Sequence, residues 1–163
     1  MPERDGTRNE VKRFLILFAV VTNLVLADAV VKELAAGCLK GAAAISVIPG
    51  FFNLAYVENR GCAWGMFQGQ VWPLAVFGLL ALGFLVWKRR SVFGSGRLGA
   101  IAEPLLYAGI IGNVIDRLFR GYVIDMFDFH WKVHHFPCFN VADSLICIAV
   151  GLMLLSSFLP SKK

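Results

Sequence analysis

Six acids stand close to or inside strongly apolar stretches: Asp28, Glu103, Asp116, Asp125, Asp128 and Asp143. A charge in a bilayer core costs about 2.5–3.5 kcal/mol on insertion scales, so such residues turn toward protein, a partner or water. Asp28 and Lys32 are four apart and share a helix face. They read first as a mutually neutralising pair, and second as groups that position substrate or a lipid headgroup. Asn113, Asp116 and Arg117 stand at i, i+3 and i+4, so they project together. With Arg117 and Arg120 nearby, Asp116 reads as structural, paired to one of the two arginines. Asp125 follows in Gly121-Tyr-Val-Ile-Asp-Met-Phe-Asp128, among apolar neighbours. Asn140 and Asp143, at i and i+3, have ordinary readings as a helix N-cap and a first-turn acid.

Those ordinary readings weaken in combination, because two short segments bring carboxylates to the same end of the apolar stretches. Two carboxylates in one site cannot both ionise cheaply, so one keeps a proton and the other serves as a base. A water between them is deprotonated by one while the other protonates the attacked carbonyl. This is aspartyl protease chemistry, and it needs neither metal nor nucleophilic side chain. Spacing alone does not show that Asp125 and Asp143 meet, so their pairing is an inference.

Competing chemistries find little in the sequence. The three histidines, His130, His134 and His135, share one connection, and there is no GxSxG or HExxH. His134-His135 reads as an interfacial feature rather than a ligand pair. Cys38, Cys62, Cys138 and Cys147 form no CxxC and have no histidine at metal spacing, so no metal and no cofactor are expected. A disulfide between two of the first three is chemically allowed in an oxidising compartment, and the spacing assigns none. A transporter or channel subunit would want polar residues at the midplane and in both membrane halves, whereas these acids crowd one end. A non-catalytic membrane scaffold would tolerate neutralisation of Asp125 or Asp143.

The elements that must carry these groups are membrane helices. Of 163 residues, 58% are hydrophobic and 17% charged, against roughly 45–50% and about 25% in soluble domains. The excess falls in four blocks, which predict spans at about 14–36, 71–87, 99–115 and 139–159 within one integral membrane domain, 1–163. The first apolar run is too long for a cleaved signal peptide and reads as a span. The chain carries a net charge of +5, yet no nucleic-acid signature. Ten of the sixteen Lys and Arg, namely Arg4, Arg8, Lys12, Arg13, Lys88, Arg89, Arg90, Arg97, Lys162 and Lys163, fall on one side. The positive-inside rule then puts both termini in the cytoplasm and the connections 37–70 and 118–138 outside. Ile45 to Val57 is β-prone and punctuated by Pro49-Gly50, which predicts short strands within 45–69.

Four stretches resemble the lipoprotein signal peptidase (signal peptidase II) family. Asp28-Ala-Val-Val-Lys32 is similar to its Asp-x-x-Ser/Thr-Lys, and Asn59-Arg-Gly-Cys-Ala-Trp-Gly65 to its Asn-x-Gly-Ala-Ala-Phe/Trp. Gly112-Asn-Val-Ile-Asp-Arg117 followed by Gly121-Tyr-Val-Ile-Asp125 is the third, and Phe139-Asn-Val-Ala-Asp143 the fourth. Val31, Cys62 and Met126 depart from the usual Ser/Thr, Ala and Phe; none removes an ionisable group.

The resemblance implies an all-α membrane fold of four transmembrane helices with a small extracytoplasmic β-cradle, and an outer helical segment able to lid the site. It implies an aspartyl endopeptidase with Asp125 and Asp143 as the catalytic pair. Asn113, Arg117 and Asn140 would orient that pair or the substrate backbone. Asn59 and Arg117 would help hold the substrate or a closed state, and Asp28, Lys32 and Asp116 would be structural. The substrate would be a diacylglyceryl-modified prolipoprotein, cut just before the lipidated Cys. The expected setting is the bacterial inner membrane, as a monomer among lipids, with the site near the outer face.

Overall fold

The computed structural model describes residues 3–94 and 96–159, with side chains from Arg8 onward apart from Ser95. Lys162 and Lys163, used above for orientation, lie outside the described residues, as does the side chain of Arg4. Helix α1 (Glu3–Leu39) runs beyond the predicted span at both ends. Its polar head is rich in Glu, Arg and Lys, good helix formers that continue the helix into water. Helix α2 (Val71–Trp87) has the predicted bounds, and a short α3 (Arg89–Phe93) follows in the basic connection. Helix α4 (Arg97–Phe119) carries one more turn than predicted, the turn that holds Asp116 and Arg117. Helix α5 (Val141–Phe158) starts two residues later than predicted, because Asn140 is its N-cap. Three helices, Arg8–Leu39, Arg97–Phe119 and Val141–Phe158, are long and apolar enough to cross a membrane. Helix α2 is apolar over 17 residues.

Side-chain contacts set the directions of the helices. Arg13, early in α1, meets Glu103, early in α4, while Lys32 meets Asp116 late in both, so α1 and α4 run parallel. A Cβ at Gly109 or Gly112, late in α4, would crowd Ala142 at the start of α5, so that pair is antiparallel. At Gly112 an added Cβ would also come within 2.7 Å of Asp28 Oδ2. Both glycines let backbones approach closely, as packing between membrane helices requires. Gly78 of α2 lies against Ile110 and Val114. All four long helices therefore bring one end to the same place: the ends of α1 and α4 and the starts of α2 and α5.

The bundle is apolar on the outside. Phe14, Phe18, Phe77, Leu80, Trp87 and Phe158 are exposed, whereas Ala75, Ala102, Ala108, Ala142 and Ala149 are buried. The fully buried large side chains include Lys32, Asn140, Asp28 and Asp125. Such a distribution suits a hydrocarbon solvent, in which packing favours small residues and polar groups turn inward.

A sheet of antiparallel strands closes the polar end, in the order β1 (Ile45–Ile48), β2 (Phe52–Asn59), β3 (Val123–Trp131), β4 (His134–His135). Gly50, at φ 77°, makes the turn between β1 and β2. The β-prone pattern predicts strands within 45–69. The observed sheet stops at Asn59 there and recruits 123–131, and β2 against β3 is its central pairing. The rest of the 45–69 stretch is turns and a 3₁₀ turn, Ala63–Gly65, with Trp64 at φ 61°.

Candidate active site

Strand β3 decides where Asp125 points. Successive side chains alternate faces, and Ile124 and Met126 are buried against Ala35 and Leu39 at the end of α1. Asp125 must therefore face the other way, toward β2 and the start of α5. A one-residue slip in the register Val57↔Asp125 would exchange the carboxylate for an isoleucine or a methionine.

Three asparagines hold Asp125 and its neighbour Asp143. Asn59 Nδ2 donates to Asp125 Oδ2 at 2.9 Å, and Asn140 Nδ2 donates to Asp125 Oδ1 at 2.7 Å. Asn113 Nδ2 donates to Asp143 Oδ1 at 2.7 Å. Asn140 Nδ2 also reaches Asn113 Oδ1 at 3.2 Å, which joins the two halves. The orientation of each amide follows from a partner that can only donate. Lys32 Nζ lies 3.4 Å from Asn113 Oδ1, so the amide nitrogen of Asn113 turns to Asp143. The backbone N–H of Asp143 donates to Asn140 Oδ1 at 2.9 Å, so the amide nitrogen of Asn140 turns to Asp125. Gly61 N donates to Asn59 Oδ1 at 2.9 Å and fixes Asn59 likewise.

Asn140 and Asp143 also form a reciprocal capping box, with Asn140 N donating to Asp143 Oδ2. The ordinary N-cap reading is thus correct and incomplete, since the second end of the same amide reaches Asp125.

Asp125 is 1% exposed and Asp143 is half-buried. The Asp125 carboxyl is pushed up to about 7, first by burial and then by the charge of Asp143, against the opposing hydrogen bonds of Asn59 and Asn140. Among the described residues no cation forms an ion pair with either acid.

A second polar cluster adjoins the first. Lys32 Nζ lies 2.7 Å from Asp28 and 2.9 Å from Asp116, and Arg120 lies 3.0 Å from Asp116. Asp28 also accepts from the backbone N–H of Ala142 at 2.8 Å, tying α1 to the start of α5. The predicted Asp28–Lys32 pair forms. Asp116 pairs with Arg120 rather than Arg117, and Lys32 is a partner that the local spacing did not reveal. Arg117 bridges two segments: Nη1 donates to Asn113 O of its own helix at 3.1 Å and Nη2 to Gly61 O at 2.9 Å, fastening the 60–69 loop.

The remaining acids lie elsewhere. Glu103 pairs with Arg89 and Arg13 at the opposite end of the bundle. Asp128 accepts from Asn53 at 3.0 Å and meets His135 Nδ1 at 2.7 Å, and His130 stacks on His135. Burial opposes the charge of Asp128, but the hydrogen bonds from His135 and Asn53 prevail and hold it below its usual range.

Two cavities meet over the acids. One, of about 520 Å³, is lined by Asn113, Arg117 and Asp143 and runs apolar along Ile146 and Ile148 of α5. The other, of about 390 Å³, is lined by Asp125, Asp128, Glu58 and Gln68. Cys62, Ala63 and Phe136–Cys138 line both, and Trp64 meets Phe136 edge-on at 5.7 Å. Phe136 and Pro137 carry no signal in the sequence beyond their place between the histidines and Asn140.

Residues 20–159 match the family described as signal peptidase (SPase) II. The chain belongs to that family. It is 40% identical over 149 residues to the lipoprotein signal peptidase of Syntrophotalea carbinolica, covering 90% of this chain and 92% of the relative. It is 44% identical over 124 residues to that of Shewanella loihica, covering 73% and 72%. A bacterial membrane enzyme solved by the in meso method at 2.3 Å superposes with a TM-score of 0.78 at 30% identity, over 91% of this chain and 93% of that one. As a signal peptidase II, the chain is a membrane peptide hydrolase.

Proposed function

We propose that this chain is a four-span aspartyl endopeptidase of the bacterial cytoplasmic membrane that removes the signal peptide from diacylglyceryl-modified prolipoproteins. It cuts just before the lipidated Cys and works as a single integral domain. The observation that carries this reading is the pair of carboxylates held only by neutral amides at the meeting of a polar and an apolar cavity. Asp125, the deeper acid, carries the proton. Asp143, in the first turn of α5 where the helix dipole favours negative charge, is the base.

Asp143 takes a proton from a water, the resulting hydroxide attacks the scissile carbonyl carbon, and Asp125 gives its proton to the carbonyl oxygen. Collapse of the tetrahedral species returns a proton to Asp125 and delivers one to the departing amine. Asn59, Asn113 and Asn140 keep both carboxylates aimed, and Arg117 holds the loop that covers them. The apolar cavity along α5 suits the lipid-borne side of the substrate, and the polar cavity suits peptide freed from its helix, whose backbone must find partners.

Helix α2 at 17 residues serves as the fourth span, short enough to ask for tilt or local thinning of its surroundings. The basic 88–98 connection supports a cytoplasmic position for that end, which leaves the site near the outer face. The test is cleavage of a diacylglyceryl-modified prolipoprotein by the purified chain in detergent, comparing wild type with folded Asp125→Asn and Asp143→Asn. Cleavage before the modified Cys by wild type alone supports the reading. Survival of cleavage in either variant removes that acid from the mechanism.

A further inference from the structure

Three of the four cysteines, Cys62, Cys138 and Cys147, line the same cavity, and two of them, Cys62 and Cys138, line both cavities. Their segments converge on a single carboxylate. Asn59 and Asn140 donate to the two oxygens of Asp125 at 2.9 and 2.7 Å. Cys62 lies three residues after the first of these asparagines and Cys138 two residues before the second. Farther along, Trp64 of one segment touches Phe136 of the other at 5.7 Å between ring centroids. The two thiols thus stand on the two strips of chain that face each other across the opening above Asp125, bracketed by a contact on either side.

Both thiols are free and partly exposed. A disulfide needs Cα atoms about 4.4–6.8 Å apart. Loop 60–69, which carries Cys62, is anchored by hydrogen bonds, including the Arg117 bond to Gly61 O at 2.9 Å.

We propose that Cys62 and Cys138 are a reversible modification site, joined as a disulfide across the cleft by a disulfide donor, which closes the peptidase until a thiol reductant reopens it. The proposal rests on the aspartyl peptidase reading for its consequence, though not for its chemistry. The Cys62 thiolate, next to the carbonyl held by the Arg117 guanidinium, attacks the donor R–S–S–R, forming Cys62–S–S–R and releasing R–S⁻. The Cys138 thiolate then attacks the Cys62 sulfur, forming the internal disulfide and releasing a second R–S⁻. The two protons of the cysteine thiols end on the two released thiolates, so the pair is oxidised by two electrons and the donor reduced by two. Burial pushes the Cys138 thiol up to about 12, which makes the second step the slow one. The cross-link would tie the loop to the segment before α5 and shut the passage between the two cavities.

The experiment incubates the purified full chain in detergent with oxidised glutathione, maps its disulfides by peptide mass spectrometry, and measures prolipoprotein cleavage before and after dithiothreitol. The expected result is a Cys62–Cys138 linked peptide, loss of most cleavage, and recovery on reduction. Cys62→Ala and Cys138→Ala, each compared with its own reduced form, should be insensitive to the oxidant, and Cys38→Ala as sensitive as wild type. A map with only glutathione adducts, or a link to Cys147, overturns the proposal, as does a linked enzyme that cleaves as fast as the reduced one. If the reduced chain cleaves nothing, the aspartyl peptidase reading fails, while the peptide map still decides the thiol pair.

Discussion

Two groups of acids lie side by side at one end of this bundle and are held in opposite ways. Asp28 and Asp116 share Lys32, and Asp116 has Arg120 as well. Among the described residues, Asp125 and Asp143 meet only asparagine amides and backbone N–H groups. Burial is alike for Asp28 and Asp125, each 1% exposed. The difference is charge balance. An acid matched by a buried cation anchors helices. An acid offered only neutral donors, with a second carboxylate nearby, is left able to exchange a proton. Asn113 belongs to both groups, taking Lys32 on its carbonyl and giving its N–H to Asp143. The ion-paired cluster therefore aims the amide-held one.

The most direct way to break the comparison is to neutralise the amide-held acids. Asp125→Asn and Asp143→Asn should each lower cleavage by about 10³-fold or more, with melting temperatures near wild type, read by product formation and a thermal melt. The opposite profile is expected from the ion-paired cluster. Lys32→Met leaves two carboxylates buried without their shared cation and should cost about 3–5 kcal/mol of stability, seen as a large drop in melting temperature. Asn113→Ala lies between them. It should reduce kcat by about 10–100-fold and shift KM little, because Asp143 loses its aim while the cavity remains.

The pH response sharpens the same contrast. Asp125 titrates near 7 in the fold and near 3.8 when unfolded. The folded state thus binds more protons between those values, and its stability falls as pH rises through that window. Melts from pH 4 to 8 should show this decline in wild type and a flatter profile in Asp125→Asn. The smallest effect is expected at the partly exposed edge: Arg120→Met leaves Asp116 its Lys32 and should cost about 1 kcal/mol or less, with cleavage unchanged.

Much of the site was legible because helical spacing is local. Asp28 with Lys32, and Asn140 with Asp143, lie one turn apart, and each pair does what its spacing allows. Helix α2 was legible to the residue because its apolar run is bounded by Gln70 and Lys88. The sheet was only half legible. Ile45 to Asn59 announces itself by β-prone residues and a Pro-Gly turn, whereas Val123–Trp131 follows a helix and carries two acids, so its partner β2, more than sixty residues away, had to be seen. For the same reason Asp116 was matched to a neighbouring arginine and not to Lys32, and Arg117 was given no reach toward Gly61.

The sequence by itself determined that this chain lives in a bilayer, where its apolar blocks lie, and which polar residues are too costly there to be incidental. It also carried enough motif to mark the family. Only the tertiary structure decided which acids share a cation and which do without, because that depends on register between β2 and β3 and on the close approach of α1, α4 and α5 at Gly109 and Gly112. Burial and spacing are written along the chain, but the sign and distance of the nearest charge are properties of the folded whole.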